Sequence, residues 1–147
     1  MPVFLLAVLL SACSAPRVSE VFVPSSQKDS LGRYAFELDM SDSLASYDIS
    51  FYTRLDCSVY SFDNVVDIPV YVWLTSPSGE LFAEQVFLPK RGFSAERPGS
   101  YDCMMEYRTG CIPAEYGQWG MALSVSPITG LRGMGVILTK NKDNGKR

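Results

Sequence analysis

The chain is predicted to be all-β: a two-sheet antiparallel β-sandwich, immunoglobulin-like or jelly-roll-like, with a small β-barrel as runner-up. Three observations predict it. Apolar side chains recur at every second position along most of the chain, the period of a half-buried strand. Clusters of Pro, Gly, Ser and Asp separate these runs. No stretch long enough for a stable helix keeps a 3.6-residue period. Seven or eight short strands with turn signals between them are the pattern of a sandwich.

Taken in order, Val18–Phe22 is a first candidate strand. In the next, Tyr34, Phe36, Leu38 and Met40 alternate with Ala35, Glu37 and Asp39. Tyr47, Ile49, Phe51, Thr53 and Leu55 then alternate with Asp48, Ser50, Tyr52 and Arg54. Ile68, Val70, Val72 and Leu74 carry the same period, with Tyr71 and Trp73 on the opposite face. The turn Ser76-Pro77-Ser78-Gly79 leads into a strand over Leu81–Leu88. Trp119, Met121, Leu123 and Val125 form a further alternation. Pro127-Ile128-Thr129-Gly130 then turns the chain into a last apolar run, Leu131–Leu138, where Gly133 and Gly135 suggest bends or close backbone approach. Residues 90–98 and 100–110 are rich in charge, Gly and Pro and are expected to be long connections, where sandwiches often bind ligands. Helix is expected to be limited to a single turn, at Ala83-Glu84-Gln85 or at Pro113–Tyr116.

Length and composition bound the function. At 147 residues and 47% hydrophobic, with 8 Phe, 8 Tyr and 2 Trp, the chain suits one well-filled core. A net charge of -3 supplies no field for a nucleic acid, so none is expected as a partner. The absence of histidine excludes Ser-His-Asp and Cys-His catalysis and any zinc site that needs imidazole. No Gly-rich phosphate loop, nucleophile elbow or calcium-loop register is present, so no cofactor, metal or enzymatic activity is expected. Asp39, Asp42, Asp48, Asp56, Asp63 and Asp67 flank the strands, as turn caps do.

The first residues speak to location. Phe4–Leu10 is apolar and too short to cross a bilayer in a helix, which needs about 20 residues. It matches the apolar core of a secretory signal. Leu10-Ser11-Ala12-Cys13 resembles a bacterial lipobox, which implies cleavage after residue 12 and a diacylglycerol-modified Cys13 at the new N-terminus. Several acyl chains, at about 0.8 kcal/mol per buried methylene, anchor durably where one is marginal. The division expected is therefore a signal peptide at 1–12, the lipidated cysteine and linker at 13–18, a β-sandwich at 19–139 and a basic tail at 140–147. That tail carries Lys140, Lys142, Lys146 and Arg147 against Asp143. With only Glu20 acidic after the cysteine, the protein is expected to face the periplasm.

With Cys13 lipidated, three thiols remain, enough for one disulfide: Cys103–Cys111, Cys57–Cys103 or Cys57–Cys111. The first would restrain the irregular stretch and is favoured, as a structural bridge. For binding, the candidate aromatics are Trp73, Trp119, Tyr101, Tyr107 and Tyr116.

Several segments, in order, resemble the gliding-motility lipoprotein family GldH of the Bacteroidota. After the lipobox come Tyr34-Ala-Phe-Glu-Leu-Asp39 and Tyr47-Asp-Ile-Ser-Phe-Tyr-Thr-Arg54, then Val70-Tyr-Val-Trp-Leu-Thr-Ser-Pro-Ser-Gly79. Pro113 through Tyr116-Gly117 to Met121, and Leu131-Arg-Gly-Met-Gly-Val136, are similar to its closing hairpin. The resemblance implies a lipid-anchored, non-catalytic component of an envelope machinery, held to membrane lipid by Cys13 and docked on other envelope proteins. A carbohydrate-binding envelope lipoprotein is the alternative.

Overall fold

The computed structural model describes residues 17–142. Strand β1 (Val18–Pro24) is followed by a 3₁₀ turn at Ser25–Gln27, then by β2 (Tyr34–Met40) and β3 (Ala45–Asp56). A five-residue helix, α1 (Val59–Asp63), leads to β4 (Ile68–Thr75) and β5 (Leu81–Leu88). A second 3₁₀ turn at Lys90–Gly92 precedes β6 (Phe93–Arg97), β7 (Ser100–Cys111), β8 (Gly117–Val125) and β9 (Leu131–Lys142).

The strands form two antiparallel sheets, ordered β1-β9-β3-β7-β6 and β2-β8-β4-β5. The pairing is nested: β1 with β9, β2 with β8, β3 with β7 and β4 with β5. This is a long hairpin rolled over on itself, the jelly-roll arrangement, with β6 added at one edge. Neither sheet closes on itself, so the molecule is a sandwich and not the alternative barrel.

Period-two patterning builds the core as expected. β2 buries Tyr34, Phe36, Leu38 and Met40 and turns Ala35, Glu37 and Asp39 outward. β3 buries Ala45, Tyr47, Ile49, Phe51, Thr53 and Leu55. These meet Val70 and Val72 of β4, Trp119, Met121 and Leu123 of β8, and Met134, Val136 and Leu138 of β9. Fully burying one such side chain contributes about 1.5–3 kcal/mol. Thr53, polar among them, donates its hydroxyl to the Gly133 carbonyl at 2.5 Å. Acids hold turns: Asp39 accepts from the Ser41 amide, Asp42 from the Leu44 amide and Asp67 from the Lys90 amide. Asp48 accepts from the Gly110 amide.

Four expectations are corrected. Residues 93–97 and 100–111 are strands, not long connections. β7 buries Tyr101, Cys103 and Tyr107 and turns Asp102, Met104 and Glu106 out. The adjacent pair Met104-Met105 hides this alternation, because one methionine faces out and the other packs against the core. Ala83-Glu84-Gln85 lies within β5, and Pro113–Tyr116 is irregular; the helix forms instead at Val59–Asp63, where the Ser58 hydroxyl accepts from the Ser61 amide. β9 runs to Lys142, so Lys140, Asn141 and Lys142 belong to the sheet and not to a tail. Finally, Cys103 and Cys111 share one extended strand, eight steps of about 3.3 Å apart. A disulfide needs α-carbons within about 7 Å, and Cys57, Cys103 and Cys111 are all free thiols.

Candidate functional site

The outward-facing residues of the five-stranded sheet line a cleft of about 720 Å³. Its floor is one cross-strand row, in which Met104 of β7, Tyr52 of β3, Gly135 of β9 and Phe22 of β1 lie side by side. The glycines allow the rings to lie down on the sheet. A β-carbon at Gly135 would come within 2.1 Å of the Tyr52 ring, and one at Gly133 within 2.3 Å of the Val23 carbonyl oxygen and 2.7 Å of the Phe22 ring. The two rings stack with centroids 5.6 Å apart and planes 30° apart. Burial, and then a hydrogen bond with Glu20, push the Tyr52 phenol up to about 12, so it keeps its proton at neutral pH.

Beside this floor runs a polar row. Arg54 donates from Nε to Asp102 Oδ1 at 2.6 Å and from Nη2 to Oδ2 at 2.8 Å. This two-pronged pairing holds the Asp102 carboxyl below its usual range and raises Arg54. Next along, Asp56 accepts from Ser100 Oγ at 2.9 Å and pairs with Arg132 Nε at 3.1 Å. Arg97 and Glu96 complete the wall, so Arg54, Arg97 and Arg132 stand against Asp56, Glu96 and Asp102, with the Glu20 carboxylate beside them on the Tyr52 hydroxyl.

The four-stranded sheet presents a different outer face. Tyr71 and Trp73 of β4 stack with centroids 6.3 Å apart; opposite them on β5 lie Gln85 and Ala83, with Phe87 and Leu81 facing out one step further along on either side. Tyr71, Phe87 and Leu81 are 45%, 52% and 72% exposed. Asp29 Oδ1 accepts from the amides of Leu31 and Arg33, both at 2.9 Å. This turn sets the Arg33 guanidinium 5.5 Å from the centre of the Trp73 ring. Arg33, Glu37, Trp73, Leu81 and Ala122 line an open groove there of about 860 Å³.

No protein-family model matches the chain. No curated protein matches it either. Among solved structures it is similar to the enzymatically active domain of tailspike protein 4 of bacteriophage CBA120. The likeness has 9% identity and a TM-score of 0.36, and it covers 84% of this chain and 18% of that one. The chain thus spans about a fifth of that protein's length, and a likeness this slight carries no weight for activity.

The aromatics singled out from sequence are not brought together. Trp119 is buried, opposite Leu38, and donates from Nε1 to the Glu115 carbonyl at 2.8 Å. Tyr101 is buried against Phe62, and Tyr107 against Phe51 with its hydroxyl on the Glu84 carboxylate. Tyr116 is exposed in the segment before β8. Of the five, Trp73 alone lies on a broad open face. Trp119, Tyr101 and Tyr107 fill the sandwich because period two sends them inward. The cleft residues Phe22, Tyr52, Arg54, Asp102 and Arg132 were not singled out; the available signal was Gly-x-Gly in a strand, which marks where a neighbouring ring lies across the backbone. Cys103 is a core thiol that burial pushes up to about 11, and burial raises Cys57 as well. Cys13 lies outside the described residues.

Proposed function

We propose that the chain is a lipid-anchored, non-catalytic component of the cell envelope that docks a partner envelope protein on the outer face of its four-stranded sheet. The observation that carries this reading is the apolar centre of that face. An antiparallel sheet with one face in water ordinarily turns polar side chains outward. Here Tyr71, Phe87 and Leu81 stand exposed and Trp73 half-buried on one face, with Gln85 opposite Tyr71 and Arg33 and Glu37 beside Trp73. Apolar patches rimmed by polar groups are where proteins associate. The lipobox ending at Cys13 and the resemblance to the GldH family support attachment to a membrane and a place in a gliding-type machinery.

The strand order also suits a tether. β1 and β9 are antiparallel neighbours, with Val18 opposite Thr139 and the Lys140 amide donating to the Arg17 carbonyl at 2.8 Å. An anchor just before β1 would therefore lie at the same end of the sandwich as Lys142, an exposed positive charge suited to anionic headgroups, while Lys140 pairs with Asp42 at 3.5 Å.

Two experiments test the reading. Metabolic palmitate labelling is expected to disappear in Cys13→Ser; labelling that persists overturns the anchor. A benzophenone side chain incorporated in place of Tyr71 or Phe87 in intact cells is expected to give one discrete adduct, lost when Trp73→Ser is added. Absence of any adduct from both positions overturns the docking face.

A further inference from the structure

We propose that the cleft on the outer face of the five-stranded sheet binds a neutral oligosaccharide, with sugar rings laid on Phe22 and Tyr52 and hydroxyls held by Arg54, Asp102, Asp56 and Arg132. This goes beyond the docking reading and uses the opposite face of the molecule.

The ligand class follows from three properties of the cleft. The first is charge. Two of the three guanidiniums already face a carboxylate, Arg54 on Asp102 and Arg132 on Asp56. An anion entering the cleft gains no net attraction and meets Asp56, Glu96 and Asp102 at close range. A cation meets the three arginines. A neutral ligand meets neither penalty.

The second is the arrangement of hydrogen-bonding groups. A sugar hydroxyl both donates and accepts, so neighbouring hydroxyls need donors and acceptors side by side. The Arg54–Asp102 and Arg132–Asp56 pairs offer that alternation. Because each pair is already formed, its side chains lose little freedom when a ligand arrives, which lowers the cost of binding. Hydrogen bonds to such charged groups are also stronger than those between neutral ones.

The third is the floor. A sugar ring has an apolar C–H face as well as its polar rim, and it stacks on aromatic rings that lie flat. Gly133 and Gly135 let Phe22 and Tyr52 do so, and the aromatic row and the polar row run parallel across adjacent strands. The volume of about 720 Å³ lies within the usual ligand-pocket range of ~300–1,000 Å³. The tyrosine keeps its proton and adds no charge, and with that proton hydrogen-bonded to Glu20 its hydroxyl oxygen still accepts from a sugar hydroxyl.

The test uses the full chain, purified in a detergent without a sugar headgroup. It is titrated calorimetrically with soluble cello-, xylo-, manno- and galacto-oligosaccharides, and with oligogalacturonate as the anionic comparison. At least one neutral series is expected to bind. Phe22→Ala and Arg132→Met are each expected to weaken it by about tenfold or more, while Leu44→Ser, in the exposed turn between β2 and β3, leaves it unchanged. Both cleft positions are at the sheet surface, and thermal melts check that the variants fold. Should either variant unfold, backbone amide shifts in the unmodified protein decide instead: the saccharide must move outward-facing positions of β1, β3, β7 and β9. No binding by any neutral series overturns the proposal. So do tighter binding of oligogalacturonate, binding that survives both cleft substitutions, and shifts centred on β4 and β5.

Discussion

Gly135 sits between two aromatic rings because no other residue leaves room there. Its missing β-carbon is the space in which Tyr52 lies down, and Gly133 does the same for Phe22. Gly135→Ala is expected to destabilise the fold by about 1–3 kcal/mol, the usual cost of overpacking. In a Tyr52→Ala background the same substitution should cost much less; equal costs in chemical denaturation would show that the ring is not what excludes the methyl. The cysteines give a second expectation at this scale. Cys103 points into the core and Cys111 is eight residues along the same strand, so no bridge joins them. Cys57, Cys103 and Cys111 are all expected to react with an alkylating reagent in denaturant without prior reduction, and intact mass reads the number added. A protected pair that peptide mapping assigns to Cys103 and Cys111 would contradict the strand assignment.

Tyr107 shows how elements are joined. It leaves β7 on the inner face, stacks on Phe51 at 4.6 Å, and donates its hydroxyl to Glu84 of β5 in the other sheet. Arg108 pairs with the same carboxylate. The contact ties the two sheets near the β5 edge, where one layer of side chains separates the core from water. Tyr107→Phe keeps the ring and removes the hydroxyl, and is expected to cost about 1.5–3 kcal/mol, the net worth of a hydrogen bond to a charged group. A denaturation midpoint unchanged from the parent chain would mean that the tie contributes nothing. The same strand shows why β7 was hard to read from sequence. Its period of two is intact, but Cys103, Met104 and Met105 fall on alternating faces with similar polarity, so the pattern blurs where the strand is best buried. β2 and β3 were legible because acids and serines among their outward positions contrast with mostly apolar inward ones, and β4 because its aliphatic inward residues alternate with Tyr71 and Trp73.

For the whole molecule, the carboxylates set the acid limit of stability. Asp29, Asp42 and Asp48 are held below the ordinary range chiefly by backbone amides, and Asp102 by the Arg54 side chain. A carboxyl whose folded value is depressed stabilises fully above its unfolded value, about 3.9 for Asp. That contribution is lost as pH falls through the folded value. The melting temperature is therefore expected to be flat from pH 7 to about 5 and to fall below about 4; a Tm that holds at pH 2–3 would contradict these contacts. The amino-acid sequence by itself determined the all-β class, the faces of β2, β3, β4 and β8, the turn at Ser76–Gly79 and the expectation of a lipid anchor at Cys13. Each of these depends on residues close together along the chain. Only the tertiary structure decided the nested pairing of β1 with β9 and β3 with β7, and with it the cleft in which Phe22, Tyr52, Arg54, Asp102 and Arg132 meet. Arg54 and Asp102 lie 48 residues apart, and nothing local marks them as partners; they become neighbours because rolling a long hairpin sets distant strands side by side.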